Sequence, residues 1–421
     1  MHTGDVLTLA IERPAAGGRM IARHEGAVVF VAGAIPGETV RAEVEKVHRG
    51  TVWAVAREVI EPSTDRLTGV PDSACGGCVF NHIAYDRQRA IKAAIIEDAF
   101  RRIGRLPLAE PAPVEPSPID GYRMRARLHV RGGQAGFYRE GTHELCDAGA
   151  TRQLRPDTMD AMSRLAQALG TLPREAVSDI ELSENLDGTA RACHLDLVPD
   201  ADPSRLGTVT AIPGLTGVTC APLDHPRTME LWGAAEVVDR LTVEGQGFML
   251  ARHPRSFFQG NRFLLVPLLE HVMRLVEQGP VVDLYAGVGL FSVAAATLGR
   301  GPVVAVEGDR FAAADLRRNA AQCGDALVYR AEAVEAFVSR RSGPAPATVI
   351  VDPPRTGLSK EALAGTVALG AGRLVYVSCD IATLARDARV LVDAGYRMTS
   401  VRAFDLFPNT AHVETVIAFS R

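Results

Sequence analysis

The chain has 421 residues, 47% of them hydrophobic and 23% charged, with 46 Lys and Arg against 50 Asp and Glu for a formal net charge of -4. That length exceeds one ordinary core and predicts two or three domains. The composition fits a globular protein, and the near-balanced charge excludes a wholly basic nucleic-acid binder, so any such surface must be local. The start, "MHTGDVLTLAIERPAAGG", lacks the basic n-region and apolar run of a signal peptide. The most membrane-like stretch, "PVVDLYAGVGLFSVAAATLG", carries Asp283 and several glycines, and reads as a buried strand, turn and helix with no membrane association. Seven cysteines without an export signal predict a reducing, cytoplasmic setting.

Residues 1–62 contain five short β-rich runs separated by Gly and Pro, the spacing of an OB-like barrel. "STDRLTGVPDSACGGC" is a loop by composition. "YDRQRAIKAAIIEDAFRRIG" then has helical spacing, with Arg87, Arg89, Lys92, Arg101, Arg102 and Arg105 assigned to its polar side. A Pro-rich passage, "PLAEPAPVEPSP", follows it. Residues 63–240 otherwise alternate β-like runs with loops and are expected to form a central, mostly β domain. In "GYRMRARLHV", strand alternation would put Arg123, Arg125 and Arg127 on one face.

Residues 241–421 change texture. "GPVVDLYAG", "GPVVAVEG", "PATVIVDPP", "GRLVYVSC" and "HVETVIAFS" read as strands, several of them separated by helices. This alternation predicts a doubly wound, mainly parallel, Rossmann-like sheet, whose ligands sit at the carboxyl ends of strands. Asp283 ends one strand, and Gly287 and Gly289 occupy the following turn, where a backbone can approach a ligand closely. Ser292 breaks the GxGxxG dinucleotide pattern and argues against NAD. Glu307 ends the next strand, eighteen residues after Gly289, where an acid can hold ribose hydroxyls. Adenosine recognition without a pyrophosphate site suggests S-adenosylmethionine.

Asp352 ends a third strand ahead of Pro353 and Pro354, which fix φ and remove two backbone donors, leaving a stiff loop suited to a planar base. Cys379 ends the next strand. A thiol there is either a buried structural group or, facing the cofactor edge, a nucleophile. Glu414, beside His412 near the last strand, is a general base if it is withdrawn from water.

These motifs, "FFQGN", "DLYAGVG", "VDPPRTG", "VYVSCDIATLARD" and "NTAHVETV", occur in the order and spacing of the RNA (uracil-5-)-methyltransferase family, and the chain resembles that family over nearly its whole length. "GAVVFVAGAIPGETVRAEVEKVHRG" resembles its TRAM domain, an RNA-binding OB-like fold. The resemblance implies that Cys379 is the nucleophile and Glu414 the base. It implies methionine and adenosine contacts at Gln259, Tyr285, Glu307 and Glu332, with Asp352 between base and cofactor. Leu290 departs from the Asn that many relatives have, and the surroundings of Glu332 match weakly. The implied reaction is methylation of C5 of a uridine in structured RNA, 23S rRNA ahead of tRNA, through a Cys379 adduct at C6. The target nucleotide must be extruded from its stack. Arg41, Lys46 and Arg49, the Arg-rich helix and Arg123 to Arg127 are the expected RNA surfaces, and no obligate protein partner is evident.

Many relatives hold a 4Fe-4S cluster on four cysteines. Cys75, Cys78 and Cys146 occupy three of the corresponding positions, but Gly69 stands at the first. A cluster completed by Asp72 or left open, a zinc site and no metal are the readings left. A non-catalytic RNA-binding or folding factor is the alternative function. A cytosine-5 enzyme is disfavoured, because Arg355 in "DPPR" stands where a thiol would be needed. Within "VYVSCDIATLARD" the first basic side chain is Arg386, which leaves the activation of Cys379 open.

Overall fold

A computed structural model describes residues 1–172, 176–209, 211–223, 225, 227–340 and 343–421. Strands β1 (Val6–Pro14), β2 (Met20–His24), β3 (Ala27–Ala32), β4 (Thr39–His48) and β5 (Thr51–Glu61) form a closed barrel in the order β1-β2-β3-β5-β4. Alternation builds it: Leu7, Leu9 and Ile11 point inward while the residues between them face out.

Helix α1 (Tyr85–Ala99) follows a loop, and after it comes the two-residue strand β6 (Val114–Glu115). The second sheet contains β7 (Arg125–Arg131), β8 (Gln134–Tyr138), β9 (Leu145–Cys146), β10 (Val177–Glu184), β11 (Arg191–Leu197), β12 (Gly217–Pro222) and β13 (Met229–Gly233). Its order is β13-β12-β11-β10-β7-β8-β9, antiparallel except between β11 and β12. Helix α2 (Pro156–Gly170) packs on it, and the hairpin of β14 (Val237–Val243) and β15 (Gln246–Arg252) leads onward.

The third sheet begins after α3 (Leu265–Leu275) with β16 (Val281–Leu284), α4 (Leu290–Thr297), β17 (Val303–Glu307), α5 (Arg310–Ala320) and β18 (Leu327–Ala331). It continues with α6 (Val334–Arg340), β19 (Thr348–Val351), α7 (Lys360–Ala368), β20 (Arg373–Ser378), α8 (Ile381–Asp393), β21 (Arg397–Phe404) and β22 (Glu414–Ser420). The order is β18-β17-β16-β19-β20-β22-β21-β6. The five strands from β18 to β20 are parallel, and β22 runs antiparallel to both β20 and β21. Strands β16, β19 and β20 are buried over almost their whole length, as a parallel sheet covered on both faces requires.

The fold is therefore α/β with a central β region and an N-terminal barrel. Three strands of the last sheet go beyond the sequence reading: β18, β21, and β6, which pairs Val114 and Glu115 from the Pro-rich passage with Ala403 and Phe404. None of the described helices is long and apolar enough to cross a membrane.

Candidate active site

A cavity of about 600 Å³ opens at the carboxyl ends of β16, β17, β19 and β20. Its walls include Gln259, Tyr285, Gly287, Glu307, Asp352, Cys379 and Glu414. Topology brings the last three together. Cys379 directly follows β20, whose parallel neighbour β19 ends just before Asp352. Because β22 runs the other way, its first residue, Glu414, lies at that same edge, with Thr415 opposite Ser378.

The turn at Cys379 is fixed locally. Asp380 caps α8 by accepting a hydrogen bond from the Thr383 amide at 2.8 Å, and its own amide donates to Ser378 Oγ at 3.2 Å. Thus the strand ends, the helix starts, and the thiol is left at the junction. On the facing loop, Gly357 has φ +72°, and a Cβ there would come within 3 Å of Arg386, Asp387 and Thr383. That glycine lets the Pro353–Pro354 loop close against α8.

The electrostatics bind the three groups into one system. Burial pushes the Cys379 thiol up to about 12, reinforced by the negative charges of Glu414 and Asp352 and opposed by Arg355. Burial also raises Glu414 well above the usual carboxylate range, with Asp352 adding to the rise and Arg355 opposing it. Asp352 is raised by burial and by the charges of Asp283 and Glu307, while Gln259 Nε2 donates to its Oδ2 at 3.2 Å. Two close carboxyls in a site this dry resist carrying two negative charges. Arg355, three residues beyond Asp352 on the same loop, is the cation that faces Cys379. Arg386 instead bonds Asp387 and the carbonyls of Thr356 and Leu358.

Glu307 is buried, and its carboxylate accepts from the amides of Gly287 at 2.7 Å and Asp309 at 2.6 Å. Gly287 and Gly289 both have positive φ, and a Cβ on Gly289 would come within 2.8 Å of Leu316. Tyr285 also sits at positive φ, and its phenol is raised by burial and then by Glu335. Leu290 lines the cavity as an apolar wall. Glu332 pairs with Arg340 and is not among the cavity-lining residues. Buried Asp283 accepts from Ser292 Oγ and is pushed up to about 7, chiefly by burial.

Part of the cavity wall is cationic and aromatic. Arg123, Arg125, Arg255 and Phe407 belong to it together with Phe257, which is 60% exposed. The Arg125 guanidinium lies 5.8 Å from the Phe257 ring centre, and that of Arg123 lies 5.9 Å from the Phe407 centre. Arg127 is instead committed to Asp179 and Asp196, at 3.1 and 3.2 Å. On the barrel, Arg41 pairs with Glu58 and Lys46 lies over Trp53. Lys92, assigned from the sequence to a solvated helix face, is completely buried.

The expected cluster site does not assemble. Cys75 and Cys146 form a disulfide, with Cα atoms 5.6 Å apart, so two of the three thiolates are spent on each other. Cys78 remains a buried free thiol, pushed up to about 11 by burial and then by Asp72. Asp72 is paired with Arg139 at 2.7 Å and is not a free fourth donor. Gly69 offers no side chain, and among the described residues no group of three or more His, Cys, Asp or Glu is arranged to hold a metal. These donors do not fit a four-thiolate 4Fe-4S cluster, and of the readings left open by the sequence the cluster finds no support in this arrangement.

A TRAM domain model matches residues 2–56, and a tRNA (uracil-5-)-methyltransferase model matches residues 345–421. A 23S rRNA (uracil(1939)-C(5))-methyltransferase of Pseudomonas entomophila is 33% identical, over 98% of this chain and 93% of its own length. This chain belongs to the RNA (uracil-5-)-methyltransferase family. A second relative with the same description, from Acidithiobacillus ferrooxidans, is 31% identical over 100% of this chain and 99% of its own length. The crystal structure of the Pyrococcus abyssi tRNA (uracil-54, C5)-methyltransferase in complex with S-adenosyl-L-homocysteine superposes with a TM-score of 0.77. At 24% identity, over 98% of this chain and 99% of that one, it supports the shared fold. The match to the TRAM model covers β1 to β4 and the first half of β5 of the barrel, and the methyltransferase match takes in the Asp352, Cys379 and Glu414 elements of the last sheet.

Proposed function

We propose that this protein methylates C5 of a uridine in 23S rRNA, in the cytoplasm, with S-adenosylmethionine as methyl donor. The observation that carries the reading is the meeting of Cys379, Glu414 and Asp352 in one cavity that Glu307 and Gly287 also line. The rRNA assignment is supported by the relatives that match along nearly the whole chain. Residues 241–421 would carry the chemistry. The barrel of residues 1–62, with Arg123 and Arg125 of residues 63–240 and Arg255 beside them, would grip the RNA around an extruded nucleotide.

The donor's adenosine end fits the cradle present. Gly287 has no side chain to block a ligand, and the buried Glu307 carboxylate suits ribose hydroxyls. Gln259 and Tyr285 would hold the methionine side, with Gly289 shaping the turn and Asp352 orienting the uracil edge. Bound S-adenosylmethionine supplies an electrophilic methyl group.

C5 of uracil is a weak nucleophile. Cys379 Sγ would release its proton to solvent through the open cavity and bond to C6, placing enolate charge on the ring so that C5 becomes nucleophilic and takes the methyl group, with S-adenosylhomocysteine leaving. Arg355 offsets the negative surroundings that disfavour the thiolate. After methylation Glu414 would take the C5 proton, and the S–C6 bond would break to release the product. A carboxylate whose affinity for protons is raised by burial is the stronger base for this step. The test is incubation with methyl-labelled donor and either a 23S rRNA fragment or bulk tRNA, followed by mapping of 5-methyluridine. Label in the rRNA uridine supports the assignment, label only in tRNA redirects the substrate, and no label in either favours a non-catalytic RNA-binding factor.

A further inference from the structure

Helix α1 belongs to the segment preceding β7 and packs its apolar residues against α8, β6 and β1, yet two polar residues of its buried face reach the strap that joins β21 to β22. That strap, residues 405–413, contributes Phe407 to the cavity wall and leads directly into Glu414. Two α1 side chains one turn apart, Gln88 and Lys92, hold it. Lys92 is completely buried, and its Nζ donates to Asp405 Oδ1 at 2.5 Å and to the Phe407 carbonyl at 3.1 Å. Gln88 is 1% exposed. Its Nε2 donates to Asn409 Oδ1 and its Oε1 accepts from the Asn409 amide, both at 2.9 Å.

Inside the strap, Thr410 Oγ1 donates to the same Phe407 carbonyl at 2.7 Å and accepts from the His412 amide at 3.1 Å. Asn409 takes φ +63°, so the strap turns sharply where Gln88 grips it. The Phe407 ring is thereby set against Gly260, where an added Cβ would lie 3.4 Å from the ring. A buried ion pair is rarely the best route to stability, since an apolar pair of the same shape does as well. Its distinctive contribution is geometry: Lys92 ends on the Asp405 carboxylate and the Phe407 carbonyl of the strap, while Gln88 ties Asn409 of the strap to the Phe80 and Ile83 carbonyls ahead of α1.

We infer that Lys92 and Gln88 are positioning residues, which fix the Phe407 strap and so set how the target uracil ring is seated against Cys379 and Glu414. The inference rests on the proposed methyltransferase reading. Bonds from a distant helix would then control the chemical step while leaving the donor end of the cavity untouched, because neither residue lines it.

The test is a single-turnover measurement on the full chain, using RNA carrying 5-fluorouridine at the mapped target. Fluorine at C5 cannot be removed as a proton, so the covalent complex stays trapped. Its amplitude counts competent molecules and its rate reports seating. The variants are Gln88→Leu and the paired change Lys92→Met with Asp405→Asn, which leaves no buried charge unpartnered. A slower trapping rate, roughly 10- to 100-fold, with donor affinity close to wild type is expected for each variant. A wild-type rate in the trapped fraction, whatever its amplitude, overturns the inference, because a merely structural role lowers the amplitude alone. Absence of trapping by wild type contradicts the methyltransferase reading itself and is distinguished from either result.

Discussion

The cleft at Cys379 and the knuckle at Cys75 both gather residues that are far apart in the chain, and both include a cysteine beside carboxylates. In the cleft, Cys379 faces Glu414, Asp352 and Arg355, each delivered to one edge of a sheet by strand direction. In the knuckle, Cys75 is joined to Cys146, Asp72 is neutralised by Arg139, and Cys78 is left as a lone buried thiol. The cleft has a full complement of groups with unmet demands: a thiol, two carboxyls that resist ionising together and a cation. In the knuckle, the demands are met internally. Chemistry is expected from the first and a staple from the second.

Replacing the thiol should separate the regions most sharply. Cys379→Ala is expected to cut methyl transfer by roughly 10⁴-fold or more, with RNA binding by filter assay close to wild type. Full activity in this variant would refute a covalent mechanism. Glu414→Gln should lower turnover by roughly 10²- to 10⁴-fold, while a protein–RNA complex that survives denaturing electrophoresis builds up in the presence of donor. Loss of turnover with no such complex would place Glu414 before bond formation.

Arg355→Leu should slow adduct formation by roughly 10- to 100-fold. Since burial and neighbouring charge raise the Cys379 thiol to about 12, the wild-type rate should climb between pH 6 and 9. The variant should stay below wild type throughout, and overlapping profiles would remove Arg355 from the account.

Asp283 gives a test on stability. Its folded value, about 7, lies above the unfolded one, so its contribution is complete below about pH 4 and is lost as pH rises through 7. Asp283→Asn should therefore melt higher relative to wild type at pH 8.5 than at pH 5.5, and an equal difference at the two would contradict the assignment. The knuckle should respond least in function. Cys146→Ser is expected to cost about 2–4 kcal/mol of stability under oxidising conditions and little once a reductant has opened the bond, with the methylation rate per folded molecule unchanged.

Much of the cleft was legible because its residues end strands, and the order of strands along the chain places strand ends at one edge. Glu307, Asp352 and Cys379 could be placed at the cleft that way and Gly287 in the turn after a strand, whereas Glu414 begins β22 and its role as base, like that of Cys379 as nucleophile, was implied by the family resemblance. Arg355 was visible as part of "DPPR", but its partnership with Cys379 depends on the neighbouring positions of β19 and β20. Strand β6 escaped because two residues in a Pro-rich passage carry no periodicity. Lys92 was misplaced because helical spacing sorts charged residues to the solvated face, and only tertiary structure reveals that Asp405 waits on the buried one. The disulfide joins residues 71 apart, and nothing in cysteine spacing alone distinguishes it from a pair of metal ligands.

The central claim is that the thiol at the end of β20 bonds to the target base. Wild-type protein incubated with donor and RNA carrying 5-fluorouridine, then digested and analysed by mass spectrometry, tests it directly. The account predicts a nucleotide attached to the peptide containing Cys379 and none in Cys379→Ala. Attachment to any other residue, or a trapped complex that persists in Cys379→Ala, would contradict it.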